Sequence, residues 1–338
     1  MSNYTLVEIK DNTYDEMVAS AGGHFTQSFL YNLWQTGRLN VTVKRLVFYK
    51  GDQPLLFCQI LISPLWKNFK QINIPHGPII FAKNLNHNDW NQFKKYLTKL
   101  ARPLKVAFIR LETSDNIFNQ FKLKEISNAG YHTVLSQPRY EWQSQISKDE
   151  DILKSLPKKT RYAIKTSLKR GVKIEIINHN LISKLDGFYA LLTETARRNN
   201  FSLHPKSYYE QVLITTENEN QGFLVLAYDN EDLLAINLII KFNQTAFHIF
   251  GGSSGQKRDK LATYACHWGG FLASQEQGLT YYNFGGISRN KDKDLTWQTL
   301  TSFKKQFTGE IKDWGKLVDI PIIPFIYYLY TIRKKFNF

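Results

Sequence analysis

Apolar residues fall into two matching runs along this chain. From Leu46 it reads LVFYKGDQPLLFCQILIS, and from Leu224 it reads LVLAYDNEDLLAINLIIK. In each run an apolar strand meets a polar turn, Lys50-Gly51-Asp52-Gln53 or Asp229-Asn230-Glu231-Asp232, and a second apolar strand follows. That is the pattern of a β-hairpin. A constant offset pairs Leu55-Leu56 with Leu233-Leu234 and Ile60 with Leu238. A third strand is expected over Gln71–Ile74 and over Ala246–Phe250, each running into glycine, at Gly77 or at Gly251-Gly252. Helices come next. Phe93, Tyr96, Leu97 and Leu100 recur at i, i+3, i+4 and i+7 behind polar Asn86–Asp89, and Thr263–Gln277 is helix-like up to Gly278. One more strand completes each half, VAFIRLET from Val106 and LTYYNFGG from Leu279. The second half also carries a long helical pattern between Ile182 and Asn199.

These elements predict an α+β protein built from two copies of one unit, each a mostly antiparallel sheet flanked by helices. Its 338 residues suit two domains, expected over 1–145 and 146–315, with a tail over 316–338. The apolar run Ile320–Tyr330, broken by Pro321 and Pro324, falls short of the roughly 20 residues a bilayer requires. Arg333, Lys334 and Lys335 follow it, so the tail is expected either to pack on the protein body or to touch an anionic membrane surface. The opening MSNYTLVEIKDNTYDEM has no apolar signal region. Cys58 and Cys266 sit in apolar segments, as reduced core cysteines of a cytoplasmic protein would.

Charge adds a partner to this picture. The formal net charge is +15, which points to a polyanion. Between Lys154 and Lys173 there are eight Lys/Arg residues and no Asp or Glu. Read as a helix after Pro157, the stretch stacks Lys158, Arg161, Lys165 and Lys169 on one face, with Lys159 beside them. Like charges stacked in this way oppose helix formation, so an RNA backbone, a nucleotide phosphate or a lipid headgroup is an attractive counter-ion. A solvated basic face is the alternative.

Familiar catalytic signatures are missing. The eight histidines form no HxxxH, HExxH or Cys/His cluster, and there is no GxSxG elbow, P-loop or dinucleotide fingerprint. Gly251-Gly252-Ser253-Ser254-Gly255 reads as a turn. Acyl-CoA acetyltransferases share a sheet-plus-helix unit of this kind, but Gln256-Lys257-Arg258-Asp259-Lys260-Leu261 lacks the glycine-rich turn that would hold the CoA pyrophosphate.

An ordered set of landmarks is more specific. Gln137-Pro138-Arg139 precedes a strand, and LPKKTRYAIKTSLKRGVKIE follows as a basic helix with its closing glycine. Then come ARRNNFSLHPKSYYEQV, the FGGSSG…LATYACHWGG segment, YYNFGGIS and SFKKQFTGEI with a basic tail. In this order the chain resembles the FemABX-type non-ribosomal peptidyltransferases, in particular the compact, FemX-like members without a coiled-coil arm. The resemblance implies two acetyltransferase-like domains, matching the repeat. It implies transfer of an amino acid from aminoacyl-tRNA to an amine on a cell-wall precursor, either UDP-MurNAc-pentapeptide or lipid II. It implies no metal or nucleotide cofactor, and a monomer that acts in the cytoplasm, with peripheral membrane contact at most.

By the same resemblance, Lys304 in Ser302-Phe303-Lys304-Lys305-Gln306-Phe307 matches the lysine thought to stabilise the oxyanion, with Phe303 beside it and Lys305 leaving the register open by one. The bland reading is two surface lysines on a strand edge. Glu112 stands where an acidic residue often ends a strand. It could take the proton of the attacking ammonium, or simply pair with Arg110. Ser202, His204 and Tyr208 match positions that contact the acceptor's phosphates, and Phe250 and Tyr264 join them as substrate-binding residues. Lys158, Lys159, Arg161, Lys165 and Lys169 are expected to bind tRNA. Two departures matter: His204 replaces a more usual arginine, and Leu33 lies where a phosphate-binding lysine is expected, leaving Arg38 as the nearest cation. With both fixed charges lost, lipid II becomes the favoured acceptor.

Overall fold

The computed structural model describes residues 3–125, 137–146, 152–288 and 295–335. The chain divides into two units, Met1–Arg139 with Trp314–Phe338, and Tyr140–Asp313. In chain order the first unit opens with strand β1 (Tyr4–Ile9), helices α1 (Asp15–Ser20) and α2 (Phe29–Thr36), and strands β2 (Thr42–Lys50) and β3 (Gln53–Trp66). Strands β4 (Phe69–Ile74) and β5 (Ile79–Ile80), helix α3 (His87–Ala101), strand β6 (Val106–Thr113) and helix α4 (Asp115–Gln120) follow.

The second unit begins with β7 (Tyr140–Gln145), a short helix α5 (Ile152–Ser155), the basic helix α6 (Lys158–Lys169) and β8 (Val172–Ile177). Helices α7 (Leu185–Asn199) and α8 (Lys206–Asn218) lead into β9 (Gly222–Asp229), β10 (Asp232–Phe242) and β11 (Thr245–Ser253). Helix α9 (Ala262–Glu276), strand β12 (Tyr281–Gly286), helix α10 (Leu295–Lys304) and strand β13 (Glu310–Asp313) complete it. The chain then returns to the first unit with β14 (Lys316–Pro321) and α11 (Pro324–Lys335).

The two sheets repeat one order. The first runs β1-β2-β3-β4-β6-β14, with β5 on β3, and the second runs β8-β9-β10-β11-β12-β7-β13. Each contains one parallel pair, β4 with β6 or β11 with β12, joined across a helix, α3 or α9. Next to it in each sheet is an antiparallel strand supplied by a distant stretch of chain, β14 or β7. Both hairpins turn through a left-handed residue, Gly51 (φ 58°) and Asn230 (φ 54°), as tight two-residue loops require. The pair Phe48↔Leu56 answers to Ala227↔Ala235, and Lys50↔Gln53 to Asp229↔Asp232, so the offset read from Leu55-Leu56 and Leu233-Leu234 is one residue short on both arms of the hairpin.

The unit boundaries differ from those read from the sequence. The expected first domain, 1–145, includes strand β7, but this strand pairs with β12 and β13 and so belongs to the second unit. The tail begins at Trp314. It enters the first sheet because β14 pairs with β6 over Lys316–Pro321, and α11 rests on Phe108 through Ile326, Tyr327 and Tyr330. The side chains of Lys334 and Lys335 lie outside the described residues.

Each unit closes its own core. Phe48, Leu56, Ile60 and Ile72 meet Phe93 and Leu97 of α3 in the first, where Asn86 and Asp89 form a reciprocal capping box. Phe223, Val225 and Ile239 meet Cys266 and Phe271 of α9 in the second. Cys58 and Cys266 are free and buried, and burial pushes both thiols up, away from the reactive thiolate. Among the described residues, no helix is long and apolar enough to cross a membrane.

Candidate active site

Parallel pairing runs along the whole of β4 in the first unit, from Lys70 to Ile74. In the second unit β11 and β12 pair only from Thr245↔Tyr281 to Phe247↔Asn283. Beyond that point β11 continues to Ser253 without β12. Where the ladder stops, polar residues from several elements meet: buried Asn237 from β10, Asn283 from β12, Glu141 from β7 and His267 from α9, with half-buried His248 from β11. His248 Nε2 lies 3.1 Å from Asn237 Oδ1, and His267 Nδ1 lies 3.1 Å from the Tyr282 hydroxyl. The two imidazoles are 4.9 Å apart, edge to face. Burial, with the nearby Lys304 charge, lowers His248 to about 3. Burial, the His248 ring and Lys304 bring His267 well below its ordinary range. Both rings are neutral at pH 7.

Lys304 is the last residue of α10 and is 7% exposed. Its Nζ donates to the Gly286 carbonyl at 2.6 Å. Burial lowers the ammonium to about 7, opposed by the Glu141 carboxylate. Lys305 is exposed, with its Nζ 5.8 Å from the Trp142 ring centroid. The pair therefore ends a helix, not a strand edge, and only Lys304 turns inward. Phe303 packs against Tyr264 (5.2 Å) and His267 (5.5 Å). Phe303 and Tyr264 also line a cavity of ≈ 230 Å³ beneath the turn between β11 and α9, together with Arg198, Lys257 and Arg258 among others. Lys257 is neutralised by Asp229 (2.8 Å) and Asp232 (2.6 Å), and Arg198 donates to Ser253 O and Oγ, while Arg258 is exposed.

The structure gathers some of the other expected residues and scatters the rest. His204, Tyr208 and Phe250 share an aromatic cluster with Tyr209, with His204 4.3 Å from Tyr208 and Phe250 5.2 Å from Tyr209. Ser202 is exposed in the loop before α8. Arg38 belongs to the first unit, follows α2 and donates to Gln35 Oε1 at 2.8 Å. Glu112 is also in the first unit, buried in β6. Its oxygens accept the backbone N–H groups of His76 (3.1 Å) and Gln137 (3.2 Å). Arg110 forks onto Asp319, where the sequence offered Glu112 as its partner.

On α6 the exposed cations are Lys158, Lys159, Lys165 and Lys169. Arg161 instead donates to the carbonyls of Lys154 (2.9 Å) and Leu156 (2.8 Å), so it ties down the preceding turn. Lys158 and Lys159 occupy the first turn of α6, at the positive end of the helix dipole, and no side chain caps it. The polar cluster around Lys304 was not singled out from the sequence. Its signal is a lone polar residue inside an apolar strand, Asn237 in LLAINLII, His248 in AFHIF and Asn283 in YYNFGG. Among the described residues, no group of three or more His, Cys, Asp or Glu is placed to hold a metal ion.

Two sheets of repeated order define a tandem acetyltransferase-like fold. A tandem GNAT protein of the clavulanic acid biosynthesis pathway matches it with a TM-score of 0.54 at 8% identity, over 95% of this chain and 99% of that one. A crystal structure of FemX matches with a TM-score of 0.82 at 17% identity, over 96% of this chain and 99% of that one. The model of the FemAB family matches residues 9–232 and 214–335, and the chain belongs to that family. It is similar to a lipid II:glycine glycyltransferase of Staphylococcus haemolyticus (strain JCSC1435), 24% identical over 57% of this chain and 59% of the relative. It is also similar to a UDP-N-acetylmuramoylpentapeptide-lysine N(6)-alanyltransferase of Weissella viridescens, 23% identical over 56% of each chain. The chain thus spans a little over half the length of these curated relatives.

Proposed function

We propose that this protein transfers an amino acid from aminoacyl-tRNA to an amino group of a peptidoglycan precursor. Family membership and relatives named as glycyl- and alanyltransferases support the reaction class. The observation that carries the reading is the buried Lys304 ammonium at the point where β11 and β12 part, beside a cavity walled by aromatics and cations.

The reaction is aminolysis of an ester. A neutral acceptor amine attacks the carbonyl carbon of the aminoacyl ester, the C–N bond forms and negative charge gathers on the carbonyl oxygen. The C–O bond to the tRNA ribose then breaks, and the proton lost by the amine is passed to the leaving ribose oxygen. No net redox change occurs. Lys304 keeps two N–H bonds beyond the one given to Gly286, enough to stabilise that oxyanion in a site where water competes poorly. Phe303 and Tyr264 offer flat faces for the terminal base of the tRNA, and Arg258 supplies a phosphate partner. Exposed cations of α6 hold the acceptor arm farther from the chemistry. His204, Tyr208, Phe250 and Ser202 are assigned the acceptor.

We assign lipid II as that acceptor. Helix α11 exposes Phe325 (68%) and Tyr328 (60%) near Arg333, a composition suited to an anionic membrane surface. Reconstitution with charged tRNA and either lipid II or UDP-MurNAc-pentapeptide, followed by mass spectrometry, tests both parts. The added mass names the amino acid and the faster acceptor settles its form. Transfer that survives RNase would rule out the tRNA donor, and salt-sensitive RNA binding with no product would leave a binding protein.

A further inference from the structure

Between the pairs Asn283↔Gln143 and Gly286↔Glu141, strand β12 has one residue more than β7. The surplus forms a β-bulge, and Gly285 within it is left-handed, φ 74°. A side chain there would be strained by that φ and would point into the site, its Cβ 3.7 Å from Lys304 Nζ. One side chain fastens the bulge. Asn283, fully buried, accepts from Gly285 N at 2.7 Å and donates to Glu141 Oε2 at 2.7 Å. The carbonyl of the next residue, Gly286, receives Lys304.

An ammonium taken out of water needs a counter-charge or gives up its proton. Around Lys304 the neighbouring elements offer His248 from β11, His267 from α9, Tyr282 from β12 and Glu141 from β7. Both imidazoles are neutral, and the Tyr282 hydroxyl is held against His267. Glu141 is the anion among these. Asn283 engages one of its oxygens, and Lys304 donates to the carbonyl of Gly286, the residue that pairs with Glu141 across the ladder. A carboxylate acting through space supports the positive charge without consuming the N–H bonds that an oxyanion would use.

We propose that Glu141, fixed by Asn283 across the Gly285 bulge, is the positioning residue that supplies the counter-charge of Lys304 and keeps its Nζ on the Gly286 carbonyl. The catalytic consequence rests on the role given to Lys304 above; the electrostatic arrangement does not.

The test is an NMR titration of the Lys304 ε-carbon in ¹³C-lysine-labelled protein, assigned with Lys304→Met. Glu141→Gln keeps the size and the bond to Asn283 but removes the charge. Its Lys304 midpoint is expected about one pH unit or more below that of the wild type. Glu141→Asp, which keeps the charge, moves it less, and serves on its own if the Gln variant fails to fold. An Asp variant that shifts the midpoint as far as loss of charge would, or a Gln variant with an unmoved midpoint, overturns the proposal. In transfer assays the alkaline limb of kcat/KM moves with the midpoint in Glu141→Gln, about tenfold slower per unit above it. A midpoint that moves while the limb stays would remove Lys304 from the reaction and leave its pairing with Glu141 intact.

Discussion

Arg110 and Asp319 are 209 residues apart in sequence, yet the guanidinium forks onto the carboxylate with bonds of 2.8 and 2.7 Å. Both side chains are almost wholly buried. Burial opposes the Arg110 charge, and the bond to Asp319 more than offsets that opposition. The Tyr327 hydroxyl donates to the same carboxylate at 3.1 Å, and Arg110 reaches the Tyr330 hydroxyl at 3.4 Å. The pair thus locks β14 and α11 onto β6. Replacing Asp319 with Ala leaves a buried cation, and a loss of about 3–5 kcal/mol is expected. Chemical denaturation monitored on the first unit measures it. Arg110→Met combined with Asp319→Leu should recover much of that loss, and an additive double variant would contradict the pairing.

Lys304 and Lys305 separate cleanly by burial. Lys304→Met is expected to lower transfer about 10²–10³-fold with little change in the affinity for tRNA. Lys305→Met, which removes an exposed cation above Trp142, is expected to keep most of the rate. Steady-state kinetics with both substrates decides between the two lysines.

Opposite pH trends are expected for rate and stability. Burial lowers Lys304 to about 7 from an ordinary value of 10.5. Between those values the unfolded chain holds a proton that the folded chain has released, so this group adds stability as pH rises from 7 to 10.5. The charge needed for oxyanion stabilisation disappears over the same interval, so kcat falls. His248 works at the acid end. Its folded value of about 3 against 6.5 unfolded removes stability as pH falls from 6.5 toward 3. Urea midpoints across pH in wild type and Lys304→Met measure the alkaline term, which the Met variant should lack.

Charge reversal on α6 tests its role in RNA binding. Lys158→Glu, Lys165→Glu and Lys169→Glu together should weaken tRNA binding and reduce the slope of log K against log salt by roughly 2–3. Arg161→Glu is a separate case, because its bonds to the Lys154 and Leu156 carbonyls are structural. An unchanged slope in the triple variant would place the tRNA elsewhere.

Much of this architecture was legible in the order of residues. Alternation and turn chemistry around Gly51 and Asn230 determine two hairpins, because a left-handed turn residue between apolar strands has few other uses. Helical spacing at Phe93, Leu97 and Leu100 determines α3, and the repeat itself follows from burying the same apolar faces twice. Strand β7 and strand β14 were assigned by tertiary pairing alone. A six-residue strand carries no mark of which strand it pairs with, and the partners of these two, β12 and β6, lie far away in sequence.

The candidate site shows the same division. Its basic helix, its lysine pair and its aromatic segments were visible as residue types in order. Which lysine turns inward, and which carboxylate answers it, depended on the packing of β7, β11, β12, α9 and α10 around one point. Burial is a property of that assembly: it strips water from Lys304, Glu141 and two histidines at once, and only their mutual distances then set which of them keep a charge. The chain by itself determined two repeated sheet-and-helix units and a surplus of cations. The tertiary structure alone decided which cation was taken out of water and placed where the sheet parts.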